Sequence, residues 1–404
     1  MHRRILLLGS TGSIGTTTLR VLEHLRRVGE SIEVVGLSAH GSGEALLSQA
    51  RAWGVGRVCL SDSVAAGEWA ERAGACGVEL LGGAEGLVEL VERSEADLVV
   101  AAVVGAAGLP AVLAAAGRGM NIALANKESL VVAGGLLVPL CRSTGSRLIP
   151  VDSEHSAIFQ ALHSGTVGEV ARLILTASGG PFRTWDLERL AGVRLADALS
   201  HPTWRMGPKI TVDSATMFNK ALELLEAVWL FGVDEERIEV VVHPQSILHS
   251  AVEFVDGSMI AQLGTADMAT PVQYAITWPA RLAGCSGRAD LAALGRLEFE
   301  RPDGARFPAI GLARRAARMG GVAGAVLNAA NEEANAAFRA GRLGFCGISR
   351  CVEQALDGLC GVGRGGGGEG GGVGTVSLER LLEADSAARA YVGELVASGG
   401  GALR

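Results

Sequence analysis

The most constraining feature of this chain lies at its start. An apolar run from Arg4 to Leu8 leads straight into Gly9-Ser-Thr-Gly-Ser-Ile-Gly15. A helical pattern follows from Ile14 to Val28, with Leu19, Leu22 and Leu25 near 3.6-residue spacing. Strand, glycine turn and helix in that order leave few folds open. The glycines let the backbone turn tightly and approach a pyrophosphate, while the helix N-terminus offers free amides and partial positive charge. The spacing is GxxGxxG rather than GxGxxG, and no Lys-Ser/Thr pair closes it, which argues against a nucleotide-triphosphate loop. A ligand-free strand-to-helix turn would use the same glycines, so the loop alone does not separate the two readings.

The next residues repeat the theme. Strands are expected at Ile32 to Gly36, Arg57 to Leu60, Val78 to Leu81, Asp97 to Val104, Asn121 to Ala125 and Arg147 to Val151, and a second helix at Glu44 to Trp53. Continuous Val/Ile/Leu runs alternating with helices imply a parallel sheet covered on both faces, the doubly wound α/β pattern. After the second strand the chain reads Leu37-Ser-Ala-His-Gly-Ser42, with no Asp or Glu to take ribose hydroxyls. That absence leans toward NADP rather than NAD.

Composition removes other classes. With 49% hydrophobic and 20% charged residues the chain can bury a large core. Lys+Arg 36 against Asp+Glu 43 gives a net charge of −7, with no basic stripe, so nucleic acid is not the expected partner. Mean hydropathy is +0.31. Yet Leu98 to Val104 and Leu130 to Leu140 fall short of the roughly 20 apolar residues that span a bilayer, so no membrane partner is expected. The start does not read as a secretory signal. Seven cysteines without a CxxC pair read as reduced thiols in a cytoplasmic protein. Eleven of the 57 glycines fall in residues 358–374, and a flexible loop is expected at 361–374.

From Asp152 onward the character changes. Asp152 and Glu154, placed at the end of an expected strand, would point the same way as i and i+2 of extended chain. With Glu223 they make three carboxylates, a donor set suited to Mg²⁺ or Mn²⁺; helix capping by Asp152 and a solvated Glu154 would use the same spacing. Ser178-Gly179-Gly180 follows an expected strand at Arg172 to Thr176. Asp213-Ser-Ala-Thr-Met-Phe-Asn-Lys220 opens a helix expected from Ala215 to Phe231. Hydroxyls, an amide, a lysine and a helix N-terminus suit a phosphate dianion, although Ser214 could be a simple N-cap and Lys220 a surface lysine. His201-Pro-Thr-Trp-Arg-Met-Gly207 has the composition of a lid that closes over a ligand. His243 and His249 are expected to be structural. Further strands are expected at Ile238 to Val242 and, joined by an Asp256-Gly257 turn, at Ile247 to Asp256 and Ser258 to Leu263. The end is helical in pattern, at Ala309 to Met319, Gly324 to Ala340 and Ser349 to Leu359.

These residues fall into motifs that resemble a known family. GSTGSIG at 9–15, ALANKESLV at 123–131, VDSEHSAIFQ at 151–160, TASGGPFR at 176–183, HPTWRMGPKITVDSATMFNKALELLEA at 201–227, VVHPQSILHSAVEFVDGS at 241–258 and LNAANE at 327–332 are similar, in order, to 1-deoxy-D-xylulose 5-phosphate reductoisomerases. The resemblance implies an N-terminal Rossmann-like NADPH-binding domain at 1–151 and a central α+β catalytic and dimerisation domain at 152–285 with a lid at 201–208. A linker at 286–306 and a C-terminal helical domain at 307–404 would follow. It implies a homodimer that uses NADPH and Mn²⁺, Mg²⁺ or Co²⁺ to rearrange and reduce a phosphorylated sugar in isoprenoid precursor synthesis. The skeleton would shift by retro-aldol cleavage and recombination or by ketol migration.

Residue by residue, the resemblance implies cofactor contacts at Thr11, Gly12, Ser13, Ile14, Asn126, Glu128 and Gly207, and metal ligation by Asp152, Glu154 and Glu223. Substrate contacts fall to Lys127, Ser153, Glu154, Ser178, His201, Ser214, Asn219, Lys220 and Glu223. Catalytic roles are implied for Lys127, Asp152, Glu154, Glu223 and His201, and a cover over the substrate for Trp204 and Met206. One departure is Ala39-His40-Gly41-Ser42, where many relatives read Ala-Gly-Lys/Arg-Asn with the basic residue facing the 2′-phosphate; here only His40 is available as a partial substitute, which weakens the NADP preference. Two other readings remain at this point. One is a metal-independent Rossmann dehydrogenase of another phosphorylated semialdehyde; the other is a non-catalytic nucleotide-sensing relative.

Overall fold

The computed structural model describes residues 1–204, 206–361 and 376–399. The glycine-rich stretch from 362 to 374 lies outside the described residues. The chain forms two compact units. The first comprises Met1–Ser129, Leu137–Phe159 and Asp267–Arg288; the second comprises Leu130–Leu136, Gln160–Ala266 and the chain from Ala289 on.

The first unit is built on seven strands: β1 (His2–Leu8), β2 (Ser31–Ala39), β3 (Arg57–Leu60), β4 (Glu79–Gly82), β5 (Leu98–Ala101), β6 (Asn121–Leu124) and β7 (Leu148–Pro150). They pair in the order β4-β3-β2-β1-β5-β6-β7, every neighbour parallel. Ile5 to Leu8 and Leu98 to Ala101 are all buried, which is why these strands read as unbroken apolar runs. Helix Ser13–Arg27 turns Thr18, Leu19, Val21, Leu22 and Leu25 inward. Helix Ala269–Thr277, far along the chain, packs against it and adds Val272 and Ile276 to the same apolar cluster. Each such buried aliphatic contributes about 1.5–3 kcal/mol. The sheet grows from β1 to one side through β4, then resumes on the other side with β5. The C-terminal ends of β1 and β5 therefore diverge into a crevice, where ligands bind in sheets of this kind. The glycine loop begins directly after β1.

The second unit carries a four-stranded sheet of β8 (Val170–Ala177), β9 (Ile238–Val242), β10 (Leu248–Phe254) and β11 (Met259–Leu263), in the order β11-β10-β8-β9. β8 and β9 are parallel, the other pairs antiparallel. The expected hairpin is present. The Asp256 carboxylate accepts from the Ser258 amide at 2.9 Å and hydroxyl at 2.6 Å, and Gly257 takes φ +84°. Helices Ala309–Met319, Ala323–Arg339, Phe345–Cys360 and Leu378–Ala397 form the helical end.

Two local expectations change. The helix expected over 215–231 begins at Phe218, and a separate helix, Pro208–Ala215, precedes it across a break at Met217 with φ +63°. A left-handed non-glycine residue costs about 1–2 kcal/mol; burial of Met217 and Phe218 offsets it. The segment 286–306 is more than a connector, because it holds a short helix Leu291–Leu294 and Glu300 pairs with Val242 at the edge of β9. All seven cysteines are free. Burial pushes the thiols of Cys59 and Cys351 up to about 12 and about 11, so both stay protonated at neutral pH. No helix among the described residues is long and apolar enough to cross a membrane.

Candidate active site

In the first unit, the loop glycines have different physical reasons to be glycine. A Cβ on Gly9 would lie 2.5 Å from the Ala102 carbonyl oxygen, and one on Gly15 would lie 2.1 Å from the Gly9 carbonyl oxygen. Backbone stands on both sides, so neither position tolerates a side chain. Gly9 also takes φ +86°. Ser38 anchors the turn by accepting from the Gly9 and Ser10 amides through its carbonyl oxygen, at 3.1 and 2.7 Å. Gly12 differs, since its nearest neighbour would be the Gly9 oxygen at 3.6 Å, and it is exposed with an extended backbone at the helix N-cap. Packing leaves room for a side chain there. Exposed Ser13 begins the helix, with half-buried Thr11 and Ile14 flanking the turn. His40, after β2, is exposed and hydrogen-bonds Ser61 Oγ at 3.0 Å.

The loop after β6 brings Asn126, Lys127 and Glu128 to the start of helix Lys127–Thr144. Asn126 is buried, and its Nδ2 donates to the Val103 and Gly105 carbonyls at 2.7 and 2.8 Å. It also reaches the Glu128 carboxylate at 3.2 Å. This amide therefore shapes the loop after β5. Lys127 forms an ion pair with Asp152. β7 ends at Pro150 and helix Ser153–Ala161 begins three residues later, so Glu154 lies in a first helical turn rather than in extended chain. The i and i+2 alternation expected for Asp152 and Glu154 does not apply. The Asp152 carbonyl accepts the Ser156 amide at 2.8 Å, and Ser153 Oγ donates to Glu154 at 2.5 Å.

In the second unit, β8 delivers Ser178 at its end. Gly179 and Gly180 follow with φ +83° and +66°. A Cβ on Gly180 would lie 2.9 Å from the Ser214 carbonyl oxygen. His201 Nε2 lies 3.1 Å from both Ser178 Oγ and Ser214 Oγ. His201 Nδ1 accepts from the Thr203 and Trp204 amides at 3.1 and 2.9 Å. That fixes the tautomer with the proton on Nε2, facing the two hydroxyls. Burial holds the imidazole below its ordinary pKa, so it is neutral at pH 7. Ser214 sits in the last turn of helix Pro208–Ala215, not at an N-cap.

In the first turn of the next helix, Asn219 Nδ2 donates to Glu223 Oε1 at 2.5 Å, and the Lys220 ammonium pairs with Glu223 Oε2. Lys220 and Glu223 are both buried, so the surface-lysine reading does not hold. A fully buried carboxylate demands positive charge beside it. Trp204 lies with its ring 6.4 Å from that of His249. Met206 is half-buried, and exposed Gly207 caps helix Pro208–Ala215 with open space around its α-carbon. His243 is structural as expected, accepting from the Ile247 amide at 3.1 Å and facing the Glu298 carbonyl at 2.8 Å.

Sequence reasoning gave no role to Asp213, Asn331 or Asn335. Asp213 is buried, 3.0 Å from the Lys209 ammonium, and accepts from Asn331 and Asn335 at 3.0 and 2.8 Å. The signal was present, since Asn331 and Asn335 stand i, i+4 on one helix face.

Comparison with known proteins gives a consistent result. The family model for 1-deoxy-D-xylulose 5-phosphate reductoisomerase matches residues 5–134, its C-terminal domain matches 148–231, and a DXP reductoisomerase C-terminal domain matches 263–391. A 1-deoxy-D-xylulose 5-phosphate reductoisomerase of Rhizobium meliloti is 47% identical over 98% of both chains. A crystal structure of DOX-P reductoisomerase in complex with NADPH, fosmidomycin and magnesium superposes with a TM-score of 0.90 at 38% identity, covering 98% of each chain. The Zymomonas mobilis enzyme in complex with NADPH gives 0.87 at 41% identity, covering 98% of this chain and 99% of that one.

Proposed function

The chain belongs to the 1-deoxy-D-xylulose 5-phosphate reductoisomerase family, and from that premise we propose that it converts 1-deoxy-D-xylulose 5-phosphate to 2-C-methyl-D-erythritol 4-phosphate with NADPH and a divalent cation. The observation that carries this reading is the neutral His201 between two serine hydroxyls, beside a helix that buries Lys220 and Glu223. Such a cluster suits a phosphorylated substrate.

Both implied groups fit the residues present. Asp152 pairs with the Lys127 ammonium and Glu223 with that of Lys220, so both carboxylates face positive charge. With Glu154 they offer the hard oxygen donors that Mg²⁺ or Mn²⁺ prefers. The open space at Gly12, on a helix N-terminus, fits a pyrophosphate. When bound, the cation supplies stabilisation of charge on substrate oxygens and NADPH supplies the hydride.

Asp152, Glu154 and Glu223 hold the cation, with Lys127 orienting Asp152 and contacting substrate beside Ser153. Ser178, Ser214, Asn219 and Lys220 bind the phosphate, and His201 donates its Nε2 proton toward it. Trp204 and Met206 cover the site and exclude water. Thr11, Gly12, Ser13, Ile14, Asn126, Glu128 and Gly207 serve the cofactor. Residues 1–151 act as the cofactor domain, 152–285 as the catalytic domain and 307–404 as the helical domain. The enzyme works in the cytoplasm as a homodimer. Edge strand β11 supports the dimer, because it leaves Met259, Ile260 and Leu263 exposed.

The direct test is NADPH oxidation with 1-deoxy-D-xylulose 5-phosphate, with and without Mn²⁺, repeated with NADH. Metal-independent turnover would favour an ordinary dehydrogenase. Lys220→Ala should raise KM for the phosphorylated substrate about 10- to 100-fold, the worth of a charge-assisted hydrogen bond. An unchanged KM removes Lys220 from the phosphate site. Gly12→Ala should fold with an unmoved melting midpoint yet bind NADPH about 10-fold or more weakly, because the methyl enters the space left for the ligand. Titration of NADPH fluorescence reads this directly.

A further inference from the structure

Behind the Ser178-Gly179-Gly180 turn lies a contact system that the proposed function leaves unused. Residues 296–306 form a strap that meets the edge of β9 at its last residue, through one antiparallel bridge. Val242 and Glu300 exchange both backbone hydrogen bonds at 2.8 Å. His243 holds the strap by facing the Glu298 carbonyl at 2.8 Å while its ring stacks on Phe299 at 4.8 Å. Because His243 Nε2 accepts the Ile247 amide, the ring proton sits on Nδ1 and donates to the strap. Gln245 Oε1 accepts the Glu298 amide at 3.2 Å.

The strap in turn grips Arg183. Glu300 forms an ion pair with the Arg183 guanidinium. Arg306 Nη1 donates to the Arg183 and Trp185 carbonyls at 2.8 and 2.6 Å. The Arg183 stem lies against the turn itself. A Cβ on Gly179 would meet Arg183 Cδ and Val242 Cγ1, each at 2.8 Å. Gly179, in the left-handed region, is thus wedged between the arginine stem and the strand to which the strap is paired.

We infer that Arg183, Glu300 and Arg306 are positioning residues for substrate phosphate. The strap fixes Arg183, and Arg183 fixes the Gly179 turn that presents the Ser178 hydroxyl. This rests on the reading of Ser178 as a phosphate contact. None of the three touches the ligand. Their effect reaches it through the shape of a turn whose two glycines have no side chains to hold it.

The test compares Arg183→Met, which keeps the stem and removes the charge, with Glu300→Gln, the swapped pair Arg183→Glu/Glu300→Arg, and Ser178→Ala as control. The expected result for both single variants is a 5- to 20-fold rise in KM for 1-deoxy-D-xylulose 5-phosphate, on the order of one charge-assisted hydrogen bond. A parallel rise is expected in the inhibition constant of inorganic phosphate, with kcat within about twofold and the KM for NADPH unchanged. The swapped pair recovers most of the loss. If Ser178→Ala raises both phosphate-linked constants and the strap variants leave them unchanged, the inference is overturned and the phosphate reading stands. If Ser178→Ala also changes nothing, the phosphate reading fails and the inference falls with it. A fall in kcat together with the melting midpoint, without a phosphate-linked shift, assigns the strap to stability alone and overturns the inference.

Discussion

Glu154→Gln should lower kcat by at least about 10³-fold while leaving NADPH affinity within about twofold. The substitution is isosteric, so the side chain still fits the first turn of helix Ser153–Ala161, and Ser153 Oγ keeps an oxygen to donate to. What disappears is one negative charge and one ligand oxygen. An amide binds a hard divalent cation weakly, and the charge that the cation stabilises develops during the reaction, so the loss falls on the transition state. A factor of 10³ corresponds to about 4 kcal/mol. The glycine loop proposed for the cofactor follows β1, a different strand end, so NADPH binding is expected to be spared. Wild-type turnover in Glu154→Gln after chelation would rule out the metal role.

Asp213→Ala should destabilise the second unit by about 3 kcal/mol, read as a lower urea midpoint. The carboxylate is 2% exposed and balances the Lys209 ammonium, itself 15% exposed. Removing it takes the carboxylate from the Lys209 ammonium and from the amides of Asn331 and Asn335, of which Asn335 keeps the Lys209 carbonyl at 3.0 Å. Breaking one side of a buried pair costs about 3–5 kcal/mol, and the partial exposure of Lys209 puts this case at the low end. Asp213→Asn keeps the shape and one acceptor oxygen and should lose roughly half as much. Equal midpoints for Asp213→Ala and the wild type would show that the network contributes nothing. Because Ser214 follows directly, Asp213→Ala should also raise the substrate KM.

The parts of the fold legible in the sequence were those set by local pattern. The strands of the first sheet are legible because their central stretches, Ile5 to Leu8 and Leu98 to Ala101 above all, are apolar and buried, while polar residues such as Arg57, Glu79 and Asn121 stand at strand starts. Helix Ser63–Ala75 was not read, since its buried residues are the alanines Ala66 and Ala73, which blur the 3.6-residue period, and helix Gly83–Glu92 was missed although Leu87, Leu90 and Val91 carry that period. The break at Met217 was invisible for another reason. Nothing local favours positive φ in a methionine, and the burial that offsets its cost comes from distant packing. Glu154 was placed in extended chain because Asp152 to Glu154 follows an apolar run, whereas the strand stops at Pro150.

The site divides in the same way. Types and spacing alone made Asp152, Glu154 and Glu223 candidate ligands and marked the Ser178 and Ser214 to Lys220 stretches as a phosphate pocket. Even the chemistry of the glycine loop was present in its order of strand, turn and helix. Only the tertiary structure distinguished Gly12, which has room, from Gly9 and Gly15, which have none. It alone joined Ser178 to Ser214 through His201, residues 23 and 13 positions away. It alone turned His243 and the 296–306 segment into a clamp behind the glycine turn. The physical reason is range. Periodicity and turn chemistry act between residues a few positions apart and are written in order along the chain. Close approach, proton placement and buried charge balance are settled by neighbours that folding supplies from elsewhere.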